Sequence, residues 1–90
     1  MEDQETLVRM GEEAEVLLDS EAFSSTINQL VDASFQTFTN TAPVERKKRE
    51  HAYHNYRALV DIVATLRQRV AVKDEIESQP ADDINQEEGA

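Results

Sequence analysis

Between Ala52 and Val70 the apolar residues fall at Ala52, Tyr56, Leu59, Val63, Leu66 and Val70, spaced four, three, four, three and four. An α-helix brings such positions onto one stripe, whereas a strand would send them alternately to both of its faces. The repeat is that of a helix–helix seam. Val60 and Ile62 broaden it, as in a helix that packs against more than one neighbour. Thr41 or Ala42 with Pro43 supplies a start, because proline lacks an N–H that the first turn of a helix leaves unpaired anyway. The pattern predicts a helix that begins at 42 to 44 and runs over about 43–76.

The preceding stretch, SEAFSSTINQLVDASFQTFTN, repeats the period at Phe23, Ile27, Leu30 and Ser34, with Val31, Phe35 and Phe38 as an adjoining stripe. Its Ser, Thr and Phe content lowers helix propensity, yet the alternation that a half-buried strand needs fails across INQLVDASF. Asp19 or Ser20 is placed to cap a helix over 20–39. The connection TNTAP is short, so two helices joined by it lie side by side and antiparallel. Farther upstream Leu7, Met10, Ala14, Leu17 and Leu18 make a shorter amphipathic pattern over about 4–18. Only Gly11 interrupts it, at about 1 kcal/mol relative to alanine. After Glu75 the text becomes IESQPADDINQEEGA, acidic and broken by Pro80, the composition of a solvated tail. The expectation is an all-α fold: an antiparallel helical hairpin with a short N-terminal helix in one domain over 1–78, and a disordered acidic tail over 79–90.

Ninety residues bury little apolar surface, and without cysteine there is no disulfide to compensate, so self-association or a partner is expected. The absence of cysteine also removes thiolate metal sites and cysteine nucleophiles. No apolar run approaches the roughly 18 to 20 residues that span a bilayer, and the acidic start MEDQETLVRMGEE is unlike a signal peptide. The net charge of -10 is segregated: residues 1–42 carry -8, residues 43–73 carry +5 and residues 74–90 carry -7. A field of that sign opposes approach to DNA or anionic lipid over the whole surface, so any such contact has to be local.

The candidate for it is the run Arg46, Lys47, Lys48 and Arg49, with Arg57 two to three turns farther along. These bases could neutralise phosphates, with Tyr53 available to stack on a base. They could equally be paired by Glu45, Glu50 and the acidic segments of the chain, or meet an acidic protein partner. His51 and His54, with Glu50, have the spacing of two or three metal ligands on a helix, but no third element completes the set. They read as surface histidines, and no metal or cofactor is expected. Phe23, Phe35, Phe38, Tyr53 and Tyr56 read as core aromatics at helical spacing. Asp32 and Asp61 lack the flanking pattern of an acid/base pair, and there is no glycine-rich phosphate loop, nucleophile elbow or H-E-x-x-H motif. The chain reads as a non-enzyme.

From Val16 to Glu75 the order of features resembles a group of small proteins encoded by tailed bacteriophages. LLDSEAFSSTINQLVDASFQTF, the Thr-Ala-Pro turn and ERKKREHAYHNYRALVDIVATLRQRV carry the likeness, over about two thirds of the chain. The resemblance implies a non-enzymatic structural or assembly protein, a small helical subunit that oligomerises or docks on a larger virion or packaging component. It would act in the bacterial host cytoplasm during infection, with the virion as a second location. The seam residues Tyr56, Leu59, Val63, Leu66 and Val70, with Phe35 and Phe38, are the expected oligomer or partner interface. One alternative is a DNA-packaging factor of the small-terminase type that touches DNA through Arg46, Lys47, Lys48, Arg49 and Arg57, although no helix-turn-helix is recognisable. Another is an anti-defence protein that binds a small ligand between its helices. No membrane partner and no small-molecule substrate are expected.

Overall fold

In the computed structural model, which describes residues 3–79, the chain forms three helices: α1 (Gln4–Asp19), α2 (Glu21–Thr39) and α3 (Arg46–Ser78). The described residues are all-α. Each start is explained by local chemistry. The Asp3 carboxylate accepts the Thr6 N–H at 2.8 Å, which caps α1 and holds the Asp3 pKa below its ordinary value of 3.8. One residue, Ser20, separates α1 from α2. Its N–H donates to the Leu17 carbonyl at 3.1 Å and its Oγ accepts the Phe23 N–H at 3.2 Å, so it closes one helix and opens the next. The Ser24 hydroxyl also reaches back to the Leu18 carbonyl, at 3.4 Å.

The third helix starts later than the 42 to 44 expected from Pro43. Pro43 and Val44 form a tight turn in which the Glu45 N–H donates to the Ala42 carbonyl at 2.9 Å. The Glu45 carboxylate accepts the Ala42 N–H at 2.7 Å and closes the loop from the other side. Proline's fixed φ suits the second position of a β-turn as well as a first helical turn, and here the turn wins. The tail expected over 79–90 lies, apart from Gln79, outside the described residues.

α3, about 50 Å long at 1.5 Å per residue, is the element against which the other two pack. Phe38 meets Tyr53 with ring centroids 6.2 Å apart, and Phe35 meets Tyr56 at 6.3 Å. Because one number falls as the other rises, α2 runs opposite to the N-terminal half of α3. α1 lies along the C-terminal half, with Gly11 against Arg69 and Lys73, and Val8 sharing a groove with Ile76. Both of the first two helices contact α3 far more than they contact each other.

The heptad stripe of α3 is therefore the core seam. Ala52 and Leu66 are buried, and Tyr56, Leu59, Val63 and Val70 are half-buried. On α2 the facing set is Phe23, Ile27, Val31, Ser34 and Phe38, so Leu30, read above as part of the stripe, is instead 48% exposed. Spacings of four, four, three and four select Val31 over Leu30 as the position in line with Ile27 and Ser34. The core is thin: among the described residues the buried apolar side chains are Ala14, Ile27, Ala52 and Leu66.

Small residues let α1 approach α3 closely. A Cβ at Gly11 would collide with the Lys73 Cβ and lie 2.7 Å from the Arg69 carbonyl oxygen. Ala14, one turn on, is buried in the same contact face. The glycine that weakens α1 in isolation thus permits its packing. Gly11→Ala is expected to destabilise the fold by about 1 to 3 kcal/mol in urea unfolding, because overpacking outweighs alanine's helix propensity. An unchanged or raised midpoint would show that the helices separate without cost.

Candidate functional site

The four consecutive bases emerge from the Pro43 turn as the first turn of α3. A helix N-terminus is the positive end of its dipole, so cations there are disfavoured by some tenths of a kcal/mol each. Their surroundings divide them into two groups. Arg49 is half-buried and its Nη1 donates to the Ala42 carbonyl at 3.2 Å and to the Thr41 hydroxyl at 3.4 Å. The Thr41 hydroxyl donates in turn to the Phe38 carbonyl at 2.9 Å. Arg49 thereby ties the start of α3 to the negative end of α2. Lys48 lies 3.8 Å from Glu45, a solvent-exposed pair worth little. Arg46 and Lys47 are exposed and make no salt bridge among the described residues. Arg57 is farther along the helix and pairs with Asp61 at 3.4 Å, which also occupies that carboxylate.

Beside this end, Phe35, Phe38, Tyr53 and Tyr56 line an apolar cleft of about 160 Å³. Phe35 and Tyr53 are 54% and 47% exposed, so the two aromatic rungs close the seam on one flank but leave an edge open to solvent. Val44, at the tip of the turn, is 90% exposed.

The residues expected to form an interface with another molecule are largely engaged within the chain. Leu66 is 7% exposed and packs within the chain's own seam. Tyr56, Leu59, Val63, Val70 and Phe38 are half-buried on the same seam, and Phe35 alone of the set is exposed. His51 and His54 do not come together with further ligands: among the described residues no group of three or more His, Cys, Asp or Glu side chains is placed to hold a metal ion. No described helix is long and apolar enough to cross a membrane.

One residue escaped the sequence reading. The seam spacing, extended by three past Val70, lands on Lys73, and that lysine is buried at the α1–α3 contact. Its Nζ lies 3.0 Å from Asp74, 3.0 Å from Glu77 and 3.2 Å from Glu15 of α1. Hydrogen bonds donated to Asp74 and Glu77, then to Glu15, outweigh desolvation and hold the ammonium above its ordinary pKa of 10.5. The stem covers Gly11 while the charge reaches carboxylates at the rim. A lysine read from a list is a surface residue by default; the signal for this one was its place in the heptad.

Comparison with protein-family models, curated proteins and solved structures finds no match.

Because the Lys73 pKa is raised on folding, its contribution is fully present below pH 10.5 and is lost only as pH climbs through the higher folded-state value. Lys73→Gln is expected to lower the melting temperature, by the same amount at pH 7 and pH 9. A difference that vanishes by pH 9 would show that the ammonium is not held by these carboxylates.

Proposed function

We propose that this chain is a non-enzymatic assembly subunit: an antiparallel helical hairpin, its outgoing arm broken at Ser20, that functions by associating with copies of itself and with a larger protein. The observation that carries this reading is the mismatch between the thin core and the apolar residues left outside. Leu17, Leu30, Phe35, Tyr53 and Ile62 are all more than 40% exposed, although they flank the seam on helices that a single chain has already paired. Single exposed apolar residues are ordinary, but a series of them along both flanks of a two-helix seam is what a multi-helix bundle covers. Small chains without disulfides or metals commonly reach stability in this way.

The resemblance to small tailed-phage proteins supplies the biological setting, virion assembly or packaging in the infected host. In that setting the subunit contributes bulk and binding faces rather than chemistry. Sedimentation at micromolar concentration is expected to show an oligomer, and mass spectrometry of purified particles or assembly intermediates is expected to recover the chain. A monomer at these concentrations would overturn the self-association reading. Recovery from neither particles nor intermediates would remove the assembly role.

A second reading, contact with DNA during packaging, draws on Arg46 and Lys47, which are exposed and without ion-pair partners among the described residues. It calls for binding to duplex DNA that weakens steeply with salt and is lost on combining R46Q, K47Q and K48Q. Arg49 is left unaltered in that variant because it holds the turn. Absence of fluorescence-anisotropy change even at low salt would exclude this reading.

A further inference from the structure

Beside the buried seam, α3 carries a second series spaced three and four apart: Lys48, His51, Asn55, Ala58, Ile62, Thr65 and Arg69. It follows one face of the helix. With Ser34 and Thr37 of α2, the first part of the series forms a shallow groove. Ala58, Ile62, Thr65 and Arg69 line the next groove along. Within the series the middle is small and apolar, with Leu66 and Asp61 lining the same groove, and Lys48, His51 and Arg69 stand toward its two ends.

One further apolar residue, Leu30 of α2, lies with it. Stepping five residues from the Phe35–Tyr56 pair along each helix brings Leu30 level with residue 61. Five residues is about 140° of helical turn, so Leu30 and Phe35 lie on opposite flanks of the seam. Ile62 is nine residues, or two and a half turns, from Tyr53 and likewise lies on the flank away from the aromatic pairs. Leu30 and Ile62, 48% and 46% exposed, are thus neighbours on one open face.

Ile62 is also the central residue of the 33-residue helix, with 16 residues on either side. The two ends that flank it differ in charge. The turn end holds Arg46, Lys47, Lys48 and Arg49 against Glu45 and Glu50. The far end holds Glu5, Glu12, Glu13 and Glu15 of α1 with Asp74, Glu75 and Glu77 of α3, against Arg9, Arg67, Arg69 and Lys73.

We propose that a second copy of this chain docks on the Leu30–Ile62 face in the antiparallel sense, about a two-fold axis at Ile62. The inference rests on the self-association reading and specifies its face and direction. An axis at the midpoint lets the two α3 helices cover each other over their full length, and it makes the contact self-complementary, as a two-fold interface must be. Ala58 and Thr65, one turn to either side, leave room for the partner helix. The antiparallel sense lays the basic turn end of each copy against the acidic far end of the other, whereas a parallel dimer would superpose like ends. In this arrangement Lys48 of one copy lies level with Ile76 of the second, since both are 14 residues from Ile62.

The chain has no cysteine, so single introduced thiols report the geometry directly. Under mild oxidation, I62C is expected to form a disulfide-linked dimer with itself. K48C alone is expected to link poorly, and a mixture of K48C and I76C to give the heterodimer at several times the yield of K48C alone. Self-linking of K48C as readily as I62C would mean a parallel dimer and overturn the inference. An I62C chain that stays unlinked while the unaltered protein sediments as an oligomer would place the contact on another face. An unlinked I62C chain together with a monomeric unaltered protein would overturn both this inference and the reading it rests on.

Discussion

The packing of Gly11 onto Lys73 and the Arg69 carbonyl sets the geometry of half the molecule. Without a side chain at Gly11 the backbone of α1 comes close enough to α3 for the Lys73 stem to lie across it and for Glu15 to reach the ammonium. A buried cation needs compensation, and here it has three carboxylates. Two of the three come from α3 itself and one from α1. The pair therefore fixes where α1 sits along α3, a job that the apolar residues of so thin a core do loosely. Ala14 and Leu18 follow from that placement, and Ser20 then redirects the chain so that α2 can use the remainder of the seam.

At the opposite end the same problem is solved with polar atoms of the turn. Arg49 reaches the Ala42 carbonyl and the Thr41 hydroxyl, and Glu45 closes on the Ala42 amide. Both ends are thus held by charge-assisted bonds that reach between segments, and the middle by Ile27, Ala52, Leu66 and the two aromatic rungs. The arrangement accounts for an apparent excess of positive charge at a helix N-terminus. One of the four bases is part of the turn, one has an adjacent acid, and the remaining two project into solvent.

This division bears on function. Both ends of the seam are held by bonds within the chain while apolar residues stay exposed along its flanks, and the proposed sideways association rests on that contrast. In that proposal the exposed cations at one end and the carboxylates at the other give the association its direction. Self-assembly and the role in a phage particle are readings of that surface and of the sequence resemblance, and they do not depend on any catalytic group.

The three helices, the seam of α3 and the Ser20 boundary were legible in the sequence because they are consequences of local period and capping, which act over one or two turns. The start of α3 was misplaced by the ambiguity of Pro43, which suits a helical first turn and a β-turn alike. The burial of Leu66 within the chain was not legible, because a stripe does not say which helix covers it. Gly11 looked like a defect and Lys73 drew no reading at all; each makes sense only with the other opposite it, 62 positions away in the chain. Local chemistry determined that this protein is helical and where its apolar stripes run. Which stripe is covered by the chain itself, and which remains open to another molecule, was decided by the tertiary structure, because burial is a property of the facing surfaces and not of either sequence segment alone.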